Sequence, residues 1–195
     1  MSFRVVGTNS ADTIKGTLGQ AVNEFLDGDA GDDRLLAYEG ADVVAGGEGN
    51  DFLHGNFGGD LVDGGAGNDT LRGGHGHDEI LGGSGGDCIW GVIGGNTVDT
   101  GDSDNAKDQI FVPVDSVQNQ FGNLNGVNFD LIENVGLEDE IFLHSREDVG
   151  LTYRLTHMNG QHGVGIYADN VLEALVTGGL SVDQVSSMTS SGFFA

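Results

Sequence analysis

Cysteine and proline are almost absent: the 195-residue chain has one of each. The lone Cys88 excludes an internal disulfide and a cysteine-rich zinc site. Basic residues are scarce too, with 7 Lys and Arg against 31 Asp and Glu, a formal net charge of −24. A surface that negative repels phosphate backbones and anionic headgroups, which excludes nucleic-acid binding and simple membrane-surface binding. No apolar run approaches the ~18 residues of a membrane span, and no basic-then-apolar leader opens the chain. There is no His-Glu-x-x-His, so the zinc-protease signature is missing. Glycine is what abounds, at 36 residues, without collagen's three-residue period. The counter-charge that suits such a chain is a metal cation.

The glycines are periodic. From Gly28 to Asp99 the sequence divides without a gap into eight nine-residue units, such as Gly46-Gly47-Glu48-Gly49-Asn50-Asp51-Phe52-Leu53-His54. Position four is Gly in every unit. Position six is Asp33, Asp42, Asp51, Asp60, Asp69, Asp78 and Asp87, then Asn96. Position eight is always aliphatic, from Leu35 and Val44 to Ile89 and Val98. Runs of Gly and Asn permit positive φ, so positions one to five are predicted to turn the chain. Positions seven to nine then form a short strand with only the eighth side chain inward. One aliphatic per unit cannot bury a core alone, so two units must form an 18-residue coil and the coils must stack with parallel strands.

Stacking aligns turns 18 residues apart. Asp33, Asp51, Asp69 and Asp87 form one column, and Asp42, Asp60, Asp78 and Asn96 the other. Coils ~4.8 Å apart bring like charges within a few ångströms, which demands a cation between them. Calcium fits, since it takes six to eight oxygens and accepts both carboxylates and carbonyls. Three gaps per column predict about six sites, with Asp69 shared by two and Asp33 serving one. Residues 28–99 carry 14 acids and two Arg, net −12, and six Ca²⁺ would balance that charge.

The pattern Gly-Gly-x-Gly-x-Asp-x-aliphatic-x resembles the RTX (repeats-in-toxin) nonapeptide, whose fold is a calcium-bound parallel β-roll. The resemblance implies that carbonyls at positions one and three join the aspartates. In this chain these are Gly28 and Ala30, Gly46 and Glu48, Gly55 and Phe57, Gly64 and Ala66, and Gly73 and His75. It also implies export by type I secretion and folding outside the cell, where calcium is plentiful. Departures are Ala37 at position one, Tyr38 and Val92 at position two, and Asn96, which keeps an oxygen but loses a charge.

The flanks are less regular. Residues 1–27 read as a degenerate repeat and cap in which Asp12 could bind calcium and Asn23 and Phe25 fill the Asp and aliphatic roles. The roll is expected over 28–111, closing on the strand Asp108–Val112. Residues 112–195 are expected to be a β-rich C-terminal cap. There Ile132–Leu143 resembles a roll-closing segment, and Leu151–His157 and His162–Ala168 flank an Asn159-Gly160 turn. Val171–Val176 adds a strand, and Ser181 with Gln184 has capping-box spacing. Phe193-Phe194-Ala195 is similar to the apolar end of a type I export signal, although the usual acidic residue before it is missing. The fold class is therefore all-β: a calcium-bound parallel β-roll followed by a β-rich cap.

Other motifs compete poorly. Gly82-Gly83-Ser84-Gly85-Gly86 matches a hydrolase elbow but lies inside a repeat turn, without a strand before it and a helix after it. His75, His77 and Asp78 offer a weak transition-metal set. Cys88, Trp90 and Phe52 are expected to point outward. No catalytic constellation emerges, so the chain reads as a non-enzyme. The favoured function is a calcium-binding extracellular structural protein that folds on Ca²⁺ and self-assembles into a layer, matrix or filament, because roll-like sequence fills the chain from its start. The alternative is a calcium-dependent carbohydrate-binding helper module, which would show a basic or aromatic-lined groove for a cell-surface polysaccharide.

Overall fold

Each Asp-x-aliphatic step opens a strand. The computed structural model describes residues 3–101, 106–113, 130–137, 139–144, 151–158, 161–168 and 171–192. Its first strands are β1 (Phe3–Val6), β2 (Thr13–Lys15) and β3 (Glu24–Asp27). The regular run follows as β4 (Arg34–Glu39), β5 (Val43–Glu48), β6 (Phe52–Phe57), β7 (Leu61–Ala66), β8 (Thr70–His75), β9 (Glu79–Ser84), β10 (Cys88–Ile93) and β11 (Thr97–Asp99). Beyond it lie β12 (Gln109–Pro113), β13 (Asp130–Glu133), β14 (Glu140–His144), β15 (Leu151–Met158), β16 (Gln161–Ala168), β17 (Val171–Val176), helix α1 (Val182–Met188) and β18 (Thr189–Gly192).

From β1 to β14 successive strands alternate between two sheets. Sheet I runs β1-β3-β5-β7-β9-β11-β13-β17-β16-β15, and sheet II runs β18-β14-β12-β10-β8-β6-β4-β2. Pairing along the roll is parallel, as in Leu53↔Leu71 and Val62↔Ile80, 18 residues apart. Among the described residues only β16 pairs antiparallel, with β15 on one side and β17 on the other. This is a parallel β-solenoid.

The core is the position-eight column. Ile14, Leu35, Leu53, Leu71, Ile89, Ile110 and Ile141 line sheet II, and Leu26, Val44, Val62, Ile80, Val98 and Ile132 line sheet I, all buried. Burying each such side chain contributes ~2 kcal/mol. No single coil has more than a few of them, so the fold depends on stacking.

The strands are longer than the sequence predicts. Strands β4 to β10 run six residues, from position seven through position three of the next unit, and the turn shrinks to positions four to six. The position-two glycines explain this. Gly47, Gly65 and Gly83 have φ of 109°, 98° and 102° yet stay in register with one another, so the ladder continues through them. Position one consequently faces inward, where Gly46 and Ala37 are buried.

At the N-terminus the register lies one residue later than expected. Glu24, not Asn23, takes the acidic turn position, and Leu26, not Phe25, is the buried aliphatic aligned with Val44. Asn23 instead accepts a bond from the Ala41 N–H, and Phe25 lies beside Val43 on the outer face. The three-residue insertion before Glu24 hides that register from a nine-residue ruler.

At the other end, β12 with β13 and β14 continues the stack, and β15–β17 extend sheet I as an antiparallel meander. The turns Asn159-Gly160 and Asp169-Asn170 and the tail Phe193-Phe194-Ala195 lie outside the described residues. The capping box forms as expected: the Ser181 hydroxyl accepts from the Gln184 N–H and the Gln184 side chain accepts from the Ser181 N–H. Helix α1 buries Val185 and Met188 against the core.

Candidate metal centre

In every turn the position-six side chain performs one backbone task. Asp51 Oδ1 accepts the Asp33 N–H at 2.7 Å, Asp69 Oδ1 accepts that of Asp51 at 2.7 Å, and Asp87 Oδ1 that of Asp69 at 2.9 Å. The second column repeats this through Asp42, Asp60, Asp78 and Asn96, at 2.8, 3.0 and 3.1 Å. The two columns expected from the 18-residue spacing are both present.

The other oxygen is the informative one. Oδ2 of Asp33, Asp42, Asp51, Asp60, Asp69 and Asp78 is buried without a hydrogen-bond partner. These residues are only 1–3% exposed, and a buried, unpaired carboxylate oxygen costs several kcal/mol. In five of the six, Oδ2 is turned toward the position-one glycine of its own unit, Gly28, Gly46, Gly55, Gly64 or Gly73; Asp42 has Ala37 at that position. A Cβ built on Gly28, Gly46 or Gly64 would collide with the Oδ2 of Asp33, Asp51 or Asp69 and with the position-one carbonyl of the next coil. The cradle therefore holds a carboxylate and a carbonyl oxygen from adjacent coils, and at Gly28, Gly46 and Gly64 a side chain would intrude on it. This donor set is hard and all-oxygen, as calcium requires. Among the described residues no three His, Cys, Asp or Glu side chains gather at one point, so carbonyls or water must complete each shell.

Burial governs the electrostatics. It pushes the carboxyls of Asp33, Asp42, Asp51 and Asp78 above the usual range, Asp69 to about 6 and Asp60 to about 7, and neighbouring carboxylates add to the rise for Asp60 and Asp69. The donated backbone N–H groups oppose it. Without a cation the columns seek protons.

The expected carbonyl ligands lie in two settings. Gly28, Gly46, Gly55, Gly64 and Gly73 at position one border the cradles. At position three, the carbonyls of Glu48, Phe57, Ala66 and His75 already accept the N–H of Gly31, Gly40, Gly49 and Gly58 at 2.7–3.0 Å. A carbonyl has a second lone pair, so this does not bar a cation. Ala30 bridges to Glu48 in the adjacent coil.

The columns are longer than three gaps. Asp12 precedes Asp33, donating its N–H to Asp33 Oδ1 at 2.6 Å, so Asp33 is not the end of its column. Asp108 and Asp139 continue it beyond Asp87, with bonds of 2.8 and 3.0 Å at spacings of 21 and 31. Both sit in an Asp-x-Ile step without the glycine run, and that shorter signature could have found them. At the N-terminal ends the second oxygen is satisfied by protein. Asp12 Oδ2 accepts the Thr8 N–H and hydroxyl, and Glu24 accepts both from Thr17 through its two oxygens. Glu24 begins the second column, its N–H on Asp42 Oδ1 at 2.8 Å.

The rival motifs have other occupations. The His75 ring stacks on Phe57 at 4.8 Å, while His77 Nδ1 lies 2.9 Å from the Gly95 carbonyl. Gly82, Gly83 and Ser84 belong to strand β9 rather than to the turn expected from the sequence, strand β10 and no helix follows, and the Ser84 carbonyl accepts the Gly67 N–H. Cys88, Trp90 and Phe52 lie on the outer face of sheet II, all half-buried.

A family model for the RTX calcium-binding nonapeptide repeat, in four copies, matches residues 18–53 and 54–87. No curated protein matches the chain. Among solved structures the chain is similar to the extracellular lipase LipA from Serratia marcescens, at 16% identity and a TM-score of 0.31. That match covers 97% of this chain and 40% of the lipase chain, so the chain spans well under half of that protein's length. The matched repeats coincide with the aspartate columns and their cradles, and repeats of this kind bind Ca²⁺ in a β-roll: residues 18–87 of this chain are RTX calcium-binding nonapeptide repeats.

Proposed function

We propose that this roll is a calcium-coupled folding module of an exported structural protein. The observation that carries the reading is the row of buried, unpartnered Oδ2 atoms on Asp33, Asp51 and Asp69, matched by Asp42, Asp60 and Asp78. As long as they lack a cation, desolvation and mutual repulsion oppose the stacked state, and the thin aliphatic core cannot offset chain entropy as well. Calcium would bind through these oxygens, the position-one carbonyls of Gly28, Gly46, Gly55, Gly64 and Gly73, and the position-three carbonyls. It supplies the positive charge that joins one coil to the next. Sites of this kind suit the submillimolar-to-millimolar affinities of extracellular calcium modules. RTX repeats are typical of type I export, and such a chain would cross the membrane unfolded and set on release. Folded copies, with their turns neutralised, would self-associate into a layer, matrix or filament, and the roll itself serves no catalytic role.

Circular dichroism tests the folding step. Chelator should give a disordered spectrum and millimolar calcium a β spectrum, with magnesium a poor substitute because it demands a small octahedral shell. A β spectrum unchanged by chelator would contradict the reading.

A further inference from the structure

The two outer faces of the roll differ in charge and share one period. On sheet II a ladder climbs one coil at a time through Arg34, Phe52, Arg72 and Trp90. Arg34 lies over the Phe52 ring at 4.2 Å, and Arg72 lies over Phe52 and Trp90 at 5.6 and 5.5 Å. The ladder continues through Phe111, stacked on Trp90 at 3.9 Å and on Phe142 at 4.8 Å. With Lys15, this face holds three of the chain's seven Lys and Arg.

Sheet I shows the complement. Its outward position-nine row reads Asp27, Ala45, Asp63, Leu81, Asp99, each in register with the next. Acid alternates with aliphatic every second coil, ~9.6 Å, and the cations of sheet II are likewise two coils apart, Arg34 in the row of Phe52 and Arg72 two residues along the strand in the row of Trp90. Arg4 already pairs with Asp27 at 3.2 Å, and Asp99 Oδ1 accepts the Gly101 N–H and the Asn134 side-chain amide, which leaves Asp63 and the second oxygen of Asp99, two coils apart like Arg34 and Arg72.

We propose that sheet II of one molecule docks on sheet I of a second copy, cation to acid and ring to aliphatic, and that this contact drives self-association of the folded roll. The inference rests on the self-association reading above and names its surfaces. The faces lie on opposite sides of one solenoid, so the contact is heterologous and does not close; it propagates into a stack. The five coils from Asp27 to Asp99 span only ~20 Å, well short of what a standard interface requires. Each contact is therefore weak, and assembly is reversible and salt-sensitive.

Sedimentation and light scattering of the calcium-loaded protein test this. Arg34→Glu with Arg72→Glu should retain the calcium-induced β spectrum and lose assembly at least tenfold in concentration dependence, as should Asp63→Lys with Asp99→Lys. Mixing the two charge-reversed variants should restore hetero-assembly, a result that misfolding cannot imitate. Assembly undiminished by either variant would overturn the docking surfaces while leaving self-association intact, through the roll ends. A wild type that stays monomeric at all calcium concentrations would overturn both. Association that needs an added polyuronate would assign the cationic face to an acidic polysaccharide instead.

Discussion

Asp60 and Asp69 show how a repeat turns a carboxylate into a metal ligand. One oxygen is committed to the N–H of the residue 18 positions earlier, and burial denies the other any partner. Their acidities, near 7 and 6 in the metal-free fold, stand above the ~3.9 of an unfolded Asp. The folded state then binds more protons than the unfolded one between those values. Protonation stabilises the metal-free roll at low pH, and that stability is lost as pH rises through about 6 to 7. In chelator, the β signal should be stronger at about pH 5 than at about pH 8, and saturating calcium should erase the difference; equal signals in chelator would contradict the burial argument. Thr8 and Thr17 supply the contrast, because they already satisfy the first acid of each column. Asp69→Asn should therefore reduce the calcium count seen by native mass spectrometry and raise the folding midpoint about tenfold, roughly 1.4 kcal/mol. Asp12→Asn should leave the count unchanged.

At the scale of the strand and turn, glycine does two separable jobs. Gly67 has φ of 139°, and a Cβ there would strike the Gly49 carbonyl of the coil below. Gly178 has φ of 96° with nothing within 4 Å of a built Cβ. Gly67→Ala should lower the melting temperature in calcium by the equivalent of ~3 kcal/mol, and Gly178→Ala by ~1 kcal/mol, the conformational cost alone. Similar losses at both sites would show that coil-to-coil contact is not what selects glycine at position four. The same scale separates what was legible in the sequence from what was not. Three fixed columns, at Gly49, Asp51 and Leu53 and their equivalents, specify coil, core and acid row, because each is set by a local backbone or packing need. Strand length was not legible: glycine in a strand and glycine in a turn look alike until Gly47 and Gly65 are seen in register. Glu24 was hidden by an insertion and by a longer side chain doing an aspartate's work. Asp108 and Asp139 were hidden because chain segments of other lengths separate coils that still stack evenly.

Over the whole molecule, charge is segregated rather than merely abundant. The acid columns lie at the turns, sheet I carries Asp63 and Asp99 outward, and sheet II carries Arg34 and Arg72 among aromatic rings. On the proposed reading, a chain of net charge −24 would become compact at neutral pH once cations occupy the turns, with calcium an integral layer of the fold that leaves the sheet faces free for contacts. The most direct test is anomalous diffraction from crystals grown with calcium, or with terbium in its place. The account predicts two rows of peaks along the roll, about 4.8 Å apart, beside Oδ2 of Asp33, Asp51 and Asp69 and of Asp42, Asp60 and Asp78, with no peak between Thr8 and Asp12. Cations found instead on the sheet faces, with those Oδ2 atoms still bare, would contradict it.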